Sequence, residues 1–436
     1  MAEIDKGLPN EVRTKVNVPS EEIEIKEEVT EKQPIEVIPE EDGGVTLDFE
    51  PGSINIPGTE SHFDNLADIL PEDVLAPIGS DMVQNFMDYK SSRKDWEQSY
   101  IQGLDLLGFK YENRTEPFQG ASGATHPVLA EAVTQFQAQA YKELLPSGGP
   151  VRTQIVGIKS PQTEQQAQRV KDYMNYLIMD QMKEYEAEFD SMLFHLPLAG
   201  STFKKVYYDV PLGRVVSKFV PADELIVPYT ATSIEDAEAV IHVVKMSENE
   251  LRKQIVNGFY ADVELAPPSN VEQNSVEKKE KELDGTKKVG KQDTIYTLLE
   301  CHVNLDLEGF EEVGADGQPT GVKLPYIVTV EEGSRTVLSI RRNFAPNDLK
   351  KNKIQYFVHF KFLPGLGFYG FGLIHMIGGL SRTATAALRQ LLDAGTLSNL
   401  PAGFKQRGVR VRDEASPIQP GEFKDVDAPG GNLRDA

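Results

Sequence analysis

The stretch LPGLGFYGFGLIHMIGGLSRTATAALRQLLDAGTL, residues 363–397, decides the fold of this chain. A glycine-rich bend leads into a segment in which apolar residues recur at alternating spacings of four and three. These positions are Leu373, Ile377, Leu380, Ala384, Ala387 and Leu391. Such a heptad-like seam predicts a helix of about 20 residues, roughly 30 Å long. We assign this helix to residues 371–396.

Two glycines lie in the middle of this helix. Gly378 and Gly379 each cost about 1 kcal/mol relative to alanine. Glycines are found in a helix despite this cost where a neighbouring helix comes very close or where the helix bends. Two interpretations follow, an ordinary core helix or a helix packed in a radial array of copies of itself. The opposite flank carries Arg382, Arg389 and Gln390.

The segment after the helix, residues 397–436, contains a local concentration of positive charge. Lys405, Arg407, Arg410 and Arg412 alternate with Val409 and Val411. This alternation predicts a strand with one basic face. The face is either a solvated sheet edge or a contact surface for DNA or a protein partner.

Residues 76–370 mix helical and strand patterns, which predicts an α+β fold. Helical signals begin near Ser80, and Ser92 to Asp95 resembles a capping box before the apolar face of Trp96. A second helix is expected from Pro127 to Leu144, and a third from Thr163 toward Tyr185. A hairpin is expected at 203–209 and 214–220, and strands at 294–306, 324–331, 336–342 and 354–362. The polar segment 265–292 is expected to be a flexible loop.

The N-terminal residues 1–75 are expected to be a disordered tail. Residues 1–50 carry 15 acidic and 5 basic side chains, and the segment 21–42 has no aromatic residue. Such a composition favours a solvated coil. The tail is either an untethered terminus or an interaction arm.

Charge and cysteine content exclude several classes of function. The formal net charge is -23, so tight binding of nucleic acid is not expected, although the chain could surround DNA without holding it. Cys301 is the single cysteine, which excludes an internal disulfide framework. We see neither a signal peptide nor a run of about 18 apolar residues, so no membrane association is expected.

No motif marks a catalytic, cofactor or metal site, and the chain is not expected to be an enzyme. Gly365 to Gly370 matches a dinucleotide-binding pattern, but Phe368 and Tyr369 would crowd the place of a pyrophosphate. A glycine-rich bend that feeds a helix explains the same residues. No pair of the seven histidines has the helical spacing of metal ligands, so they are expected to be structural.

Several segments in the right order resemble the portal proteins of short-tailed bacteriophages. They span about residues 80–436. The segments are Trp96 with GLDLLGF (103–109), EPFQGASG (116–123), HPVL (126–129), LLPSGGPV (144–151), VPADELIVP (220–228), DAEAVIH (236–242), LSIRRN (338–343), LPGLGFYGFGL (363–373), DAGTLSNLPAGF (393–404) and PGEF (420–423). The resemblance consists of many weakly matching segments, and none of them is a diagnostic catalytic motif.

This resemblance implies a ring, usually of twelve subunits, at one vertex of the capsid. DNA would pass through its channel, without tight binding, during packaging and ejection. Residues 76–370 would form the wing, 371–396 the stem helix and 397–436 the clip. The terminase large subunit, capsid proteins and tail adaptor proteins would be the partners.

The same resemblance assigns roles to individual residues. The seam with Gly378 and Gly379 would be the subunit interface. Arg382, Arg389, Lys405, Arg407, Arg410 and Arg412 would be candidate contacts for DNA or terminase. A full portal returns through a second stem helix and a crown, whereas this sequence stops at GGNLRDA, so we expect it to be a fragment. The alternatives are another virion adaptor or scaffold protein and a nucleotide-binding enzyme.

Overall fold

The structure, a computed structural model, describes residues 36–39, 45–48, 61–209, 212–265, 274–286, 295–313, 318–399, 403–406 and 423–426. The chain divides into two units, residues 1–60 and 61–436. In the first unit, β1 (Glu36–Pro39) pairs antiparallel with β2 (Val45–Asp48). Part of the segment expected to be disordered therefore forms strands, and β-branched residues such as Val37 and Ile38 favour them. The rest of this unit lies outside the described residues.

The second unit contains eight described α-helices. They are α1 (Glu72–Ser92), α2 (Lys94–Asp105), α3 (Val128–Leu144), α4 (Pro161–Tyr176), α5 (Tyr185–Ala199), α6 (Glu248–Val256), α7 (Ser275–Leu283) and α8 (Leu373–Asn399). A short 3-10 helix (Leu66–Asp68) precedes α1, and a π-helical segment (Leu177–Gln181) follows α4.

Ten described strands complete the unit. They are β3 (Ser201–Asp209), β4 (Arg214–Pro221), β5 (Leu225–Ile226), β6 (Ala239–Ser247), β7 (Ile295–Leu305), β8 (Leu324–Glu331), β9 (Val337–Arg342), β10 (Phe357–Lys361), β11 (Gly403–Gln406) and β12 (Phe423–Val426). The α+β class expected from the sequence is confirmed, as are the hairpin β3–β4 and the strand near each expected position from 294 onward.

A five-stranded antiparallel sheet forms the largest core. Its strand order is β5-β6-β7-β8-β9, so neighbours in the sheet follow one another in sequence. Seven of the eight residues of β8 are buried, as expected for a strand covered on both faces. One face packs against α1 through Met82, Val83 and Phe86.

A second antiparallel sheet and a helical core carry the long helix. The sheet order is β10-β3-β4, and α5 packs on β3 and β4. The helical core joins α2, α3 and the start of α8 through Tyr100, Leu129, Val133 and Ile374. The helix α8 thus begins where the three-stranded sheet and the helical core meet.

The packed body begins earlier than the expected boundary at residue 75. Leu66 has no exposed surface and belongs to the core of the five-stranded sheet. Asn65 Oδ1 accepts a hydrogen bond of 2.9 Å from the backbone N–H of Ile340, and its Nδ2 donates to Leu338 O. Residues 61–75 are therefore a packed edge of the sheet, fixed by partners far away in sequence.

Two helix starts differ from the sequence expectation. Ser92 lies inside α1 and its hydroxyl donates to Tyr89 O, so it does not cap α2. The cap of α4 is Ser160, which forms a capping box with Thr163, three residues before the expected start. The helix expected to run toward Tyr185 continues beyond α4 as the π-helical segment to Gln181, and α5 begins at Tyr185 after a short break.

The segment 265–292, expected to be a flexible loop, contains α7. Val276 is fully buried and packs with Tyr100 and Leu283 in the helical core. Two apolar side chains therefore hold a helix whose other residues are polar. A hydrophobic pattern this sparse does not distinguish a helix from a loop.

Candidate subunit interface around the long helix

The start of α8 is held by close backbone contact between glycines. Gly200 ends α5 with φ of 87°, a left-handed conformation that glycine adopts without strain. A Cβ at Gly200 would collide with the backbone of Phe371 and Gly372, and one at Gly370 would collide with Gly200 O. Phe362 N donates to Gly200 O at 3.0 Å. We call this crossing of the α5 end and the bend the glycine joint, Gly200 with Gly370 and Gly372.

The bend before α8 is filled by its own aromatic side chains. Phe368 is buried, with its ring 5.9 Å from Phe203 and 4.8 Å from His359. Tyr369 stacks on Trp96 at a centroid distance of 4.6 Å. A Cβ at Gly365 would collide with Tyr369 O, so Gly365 serves tight packing. Gly365 and Gly370 of this bend thus have packing roles inside the subunit, as the interpretation of a glycine-rich bend that feeds a helix expects.

Arg93, between α1 and α2, ties the bend to the sheet. Its guanidinium donates to the carbonyls of Ala222 and Leu225, both at 2.9 Å, and to that of Asp223. It also donates to the Tyr369 hydroxyl at 3.0 Å and to the Glu97 carboxylate at 2.9 Å. Its side chain is only 5% exposed. We call this set the Arg93 hub.

One face of α8 packs against its own subunit. The buried residues of this face are Ile374, Gly378, Ser381 and Thr385. A Cβ at Gly378 would lie 3.4 Å from Leu106 Cδ1, and Thr385 Oγ1 accepts from His126 N at 3.1 Å. Gly378 thus faces Leu106 inside the subunit and not a neighbouring copy.

The seam residues of α8 fall into two groups, one half-buried in the subunit and one exposed. Leu373, Ile377 and Ala384 are half-buried, whereas Ala387 is exposed and Leu380 and Leu391 are 64% and 72% exposed. Met376, at 57%, continues the exposed side. We call Met376, Leu380, Ala387 and Leu391 the α8 stripe. No described atom lies within 4 Å of a Cβ built at Gly379, so this glycine also faces unoccupied space.

The structure separates the two arginines of α8. Arg389 Nε donates to Ala124 O at 2.7 Å, and its Nη2 donates to Glu112 at 3.0 Å and to Thr125 Oγ1. These hydrogen bonds within the subunit explain the position of the Arg389 guanidinium. A contact with DNA or terminase is not needed to explain it. Arg382 is exposed. Lys405 lies in β11 but its side chain is not described, and Arg407, Arg410 and Arg412 lie outside the described residues.

The bend and α8 fall within a region shared with known phage proteins. A family model described as Phage SU10 portal protein matches residues 202–430, a little over half of the chain. The chain belongs to the phage SU10 portal protein family. The match begins in β3 and includes the bend, α8 and β12. A comparison with curated proteins gives no match.

Portal proteins form a structural family rather than an enzyme family. The described residues contain no group of three or more His, Cys, Asp or Glu side chains placed to hold a metal ion. None of the described helices combines the length and apolar character that a membrane crossing requires. His302 packs among the rings of Tyr356 and Phe357, and its Nε2 lies 2.8 Å from Glu300.

A partly buried acidic cluster beneath α7 was missed by the sequence analysis. It joins Asp223 and Glu224 after β4 to Glu277 and Glu280 of α7, and Lys245 bridges Glu277 at 2.5 Å and Glu224 at 3.8 Å. Burial is the main cause that raises the pKa of Glu280 to about 8 and the pKa of Glu224 to about 7, and the negative charge of Asp223 is the second cause. No local signal marks this cluster, because its carboxylates come from segments about fifty residues apart.

The cluster makes the docking of α7 depend on pH. Because the folded pKa of Glu280 is raised, its contribution to stability is complete below about pH 4.5 and is lost as pH rises through about 8. Between pH 5.5 and 8.5 we expect the free energy of unfolding to fall by roughly 1–2 kcal/mol more in the unmodified protein than in Glu280→Gln. Urea titrations at both pH values measure the difference.

Glu282→Gln is the matched control for this prediction, because it lies on the same helix but is exposed. Its pKa is lowered through hydrogen bonds to Lys110 and Lys279. This variant should keep the pH dependence of the unmodified protein. An unchanged pH dependence in Glu280→Gln would show that Glu280 does not titrate in this range.

Proposed function

We propose that this portal chain is one subunit of a closed homo-oligomeric ring, usually of twelve copies, at a vertex of the capsid. The ring forms the channel through which the genome is packaged and ejected. The observation that carries the proposal is the α8 stripe. A chain of the portal family presents a long helix with an apolar row that its own subunit leaves uncovered.

In this proposal α8 is the stem helix and packs against the same helix of neighbouring copies. Large exposed apolar surfaces on soluble proteins mark interaction sites. A head-to-tail contact repeated by rotation closes into a ring, so each subunit uses two different faces of the stem. The half-buried Leu373 and Ile377 anchor the helix in the subunit, and Leu380 and Leu391 supply the contact with the neighbour.

The remaining domain assignments follow from the same proposal. Residues 76–370 form the wing, and the ordered edge at 61–75 belongs with them. Residues 397–436 form the clip, which docks the terminase large subunit and later the tail adaptor proteins. The basic residues Lys405, Arg407, Arg410 and Arg412 are assigned to that docking surface or to DNA. The outer wing contacts capsid proteins.

Imaging of the purified protein tests the ring directly. Electron micrographs of negatively stained particles should show rings with a central channel, and native mass spectrometry should give one closed stoichiometry. An adaptor or scaffold protein that acts as a monomer or an open chain gives neither. Monomers at concentrations well above micromolar would contradict the proposed function.

We propose that the channel guides DNA by repulsion with a few weak contacts. A net charge of -23 per subunit keeps a polyanion off the wall, and Arg382 offers a transient phosphate contact. Duplex association with the ring should be weak and should disappear on moderate addition of salt. Arg382→Ala should reduce the slope of log affinity against log salt by about one unit for each phosphate that the arginine neutralises.

Arg335→Ala is the control for the DNA measurement. Arg335 is also exposed and its guanidinium reaches only Ser80 Oγ at 3.2 Å, away from α8. Fluorescence anisotropy of a labelled duplex gives both slopes. Equal salt slopes in intact rings of the two variants would exclude Arg382 from the DNA path.

A further inference from the structure

The segment between α3 and α5 leaves the body of the protein without entering any core. In this continuously described stretch, no residue from Pro146 to Glu188 is buried. It contains α4, the π-helical segment and the extended residues 151–160. We call residues 151–183 the arm.

The arm is pinned internally and at its base. Val151 N donates to Asn175 Oδ1 at 2.9 Å, and Asn175 Nδ2 donates back to Val151 O at 3.3 Å, which ties the extended segment to α4. At the base, both terminal nitrogens of Arg214 donate to the Glu184 carboxylate at 2.8 Å. The arm is therefore an element with a defined internal arrangement.

The arm displays an apolar surface that its own subunit does not cover. Exposed fractions of 93% at Val156, 90% at Ile158 and 62% at Tyr173 are large for apolar side chains. The other members of this surface are Val170, Met174, Tyr176 and Met179. A 16-residue helix without tertiary burial is marginal in water, so packing on a partner is needed to stabilise it.

The charge of the arm indicates which partner covers it. The arm carries five basic and three acidic side chains, in a chain whose formal net charge is -23. A positive, apolar arm complements an acidic surface, and a second copy of this chain supplies one. This argument favours a neighbouring subunit over nucleic acid, since the apolar residues of the arm have no counterpart on a phosphate backbone.

A groove between α3 and α5 offers such a surface. It is open to solvent, has a volume of about 720 Å³ and is lined by Thr134, Gln137, Ala138, Tyr141, Lys183, Glu186, Ala187 and Asp190. Lys183 belongs to the base of the subunit's own arm, and the two carboxylates leave the lining with a net negative charge. The Tyr141 hydroxyl donates to Glu186, and Gln137 Nε2 donates to Asp190 Oδ1 at 2.8 Å. Each carboxylate keeps acceptor capacity for a basic side chain. Ala138 and Ala187 are the apolar part of this lining, which we call the groove floor.

We propose that the arm of one subunit docks into the α3–α5 groove of the next copy. Val170, Tyr173 and Met174 lie on the groove floor, and Arg169 pairs with Glu186 or Asp190. The arm and the groove then form a second, outer contact in addition to that of α8. The proposal rests on the proposed ring, because it needs a neighbouring copy.

Cross-linking between two single-cysteine variants tests this contact. Cys301 has no exposed surface, so an introduced cysteine is the reactive thiol of each protein. Tyr173→Cys protein and Ala138→Cys protein are mixed, assembled and treated with a short bismaleimide. Only contacts between copies join the two variants. The matched control replaces Ala138→Cys by Leu349→Cys, which is 96% exposed and lies away from the groove.

The expected result is about tenfold more cross-linked heterodimer for the Tyr173–Ala138 pair than for the control pair, because docking raises the local thiol concentration. Adding Arg169→Glu to the arm should lower that yield, whereas Arg335→Glu should not. Equal yields in the two pairs, in particles that microscopy shows to be rings, overturn the arm contact and leave the proposed function standing. An arm cysteine that is protected in the ring but does not cross-link to Ala138→Cys also overturns it. Absence of any oligomer overturns both proposals.

Discussion

Replacing Arg93 by alanine is expected to lower the free energy of unfolding of the subunit by about 3–5 kcal/mol. The guanidinium is 5% exposed and bonds to three backbone carbonyls, to Glu97 and to the Tyr369 hydroxyl. Removing it leaves the buried Glu97 carboxylate without its cation and the carbonyls after β4 without donors. Both changes carry a desolvation cost that no solvent access relieves.

Arg93→Lys separates charge from geometry at the Arg93 hub. A lysine keeps the positive charge but cannot span acceptors on three segments with one planar group. Its loss of stability should fall between that of Arg93→Ala and the unmodified protein. Urea unfolding of the monomer, followed by Trp96 fluorescence, measures all three, since Trp96 stacks on Tyr369 beside the hub. Arg335→Ala is the surface control, and an Arg93→Ala midpoint equal to that of this control would contradict the hub.

The double substitution Leu380→Asp with Leu391→Asp is expected to abolish ring formation without unfolding the subunit. Both side chains are largely exposed in the subunit, so the monomer loses little packing. Burying a leucine contributes about 1.5–3 kcal/mol. Removing two leucines from each subunit interface, and placing two carboxylates there, weakens each interface by at least about a hundredfold. Analytical ultracentrifugation of the variant should show monomers.

Gly379→Leu tests the same surface by adding volume instead of charge. Nothing described lies near a Cβ at Gly379 inside the subunit, so the monomer should tolerate the substitution apart from a small change in helix propensity. A close neighbour would be overpacked at a typical cost of about 1–3 kcal/mol. Arg335→Ala, on an exposed side chain away from α8, is the control and should assemble. Normal rings from both the double variant and Gly379→Leu would show that α8 does not pack against its neighbours.

The long helix could be predicted from the sequence because its apolar period extends over six positions. The same period did not show which side of the helix the subunit itself covers. The buried face uses Ile374, Gly378, Ser381 and Thr385, and three of these four are small or polar residues. Small residues give little hydrophobic signal, although they determine the closest approach.

Other features escaped prediction because their partners are distant in the chain. The Arg93 hub depends on carbonyls 129 to 132 residues away and on a tyrosine 276 residues away. Leu66 and Asn65 follow an acidic tail and become part of the core only through β9. The helix α7 depends on Val276 and Leu283, which meet α2 after a polar segment. Local pattern predicts elements well where burial follows a period, and poorly where one or two side chains decide the packing.

The glycine joint also determines how the subunit carries load. At Gly200, Gly370 and Gly372 two backbones lie in direct contact, without side chains between them that could change rotamer. The aromatic rings of the bend and the guanidinium of Arg93 brace the same point from the side of the sheet. The base of α8 is therefore a rigid connection between the helix and the sheets, and not a flexible hinge. Force applied along the helix is transmitted to the two sheets. We therefore expect α8 and the sheets to tilt together as one rigid body.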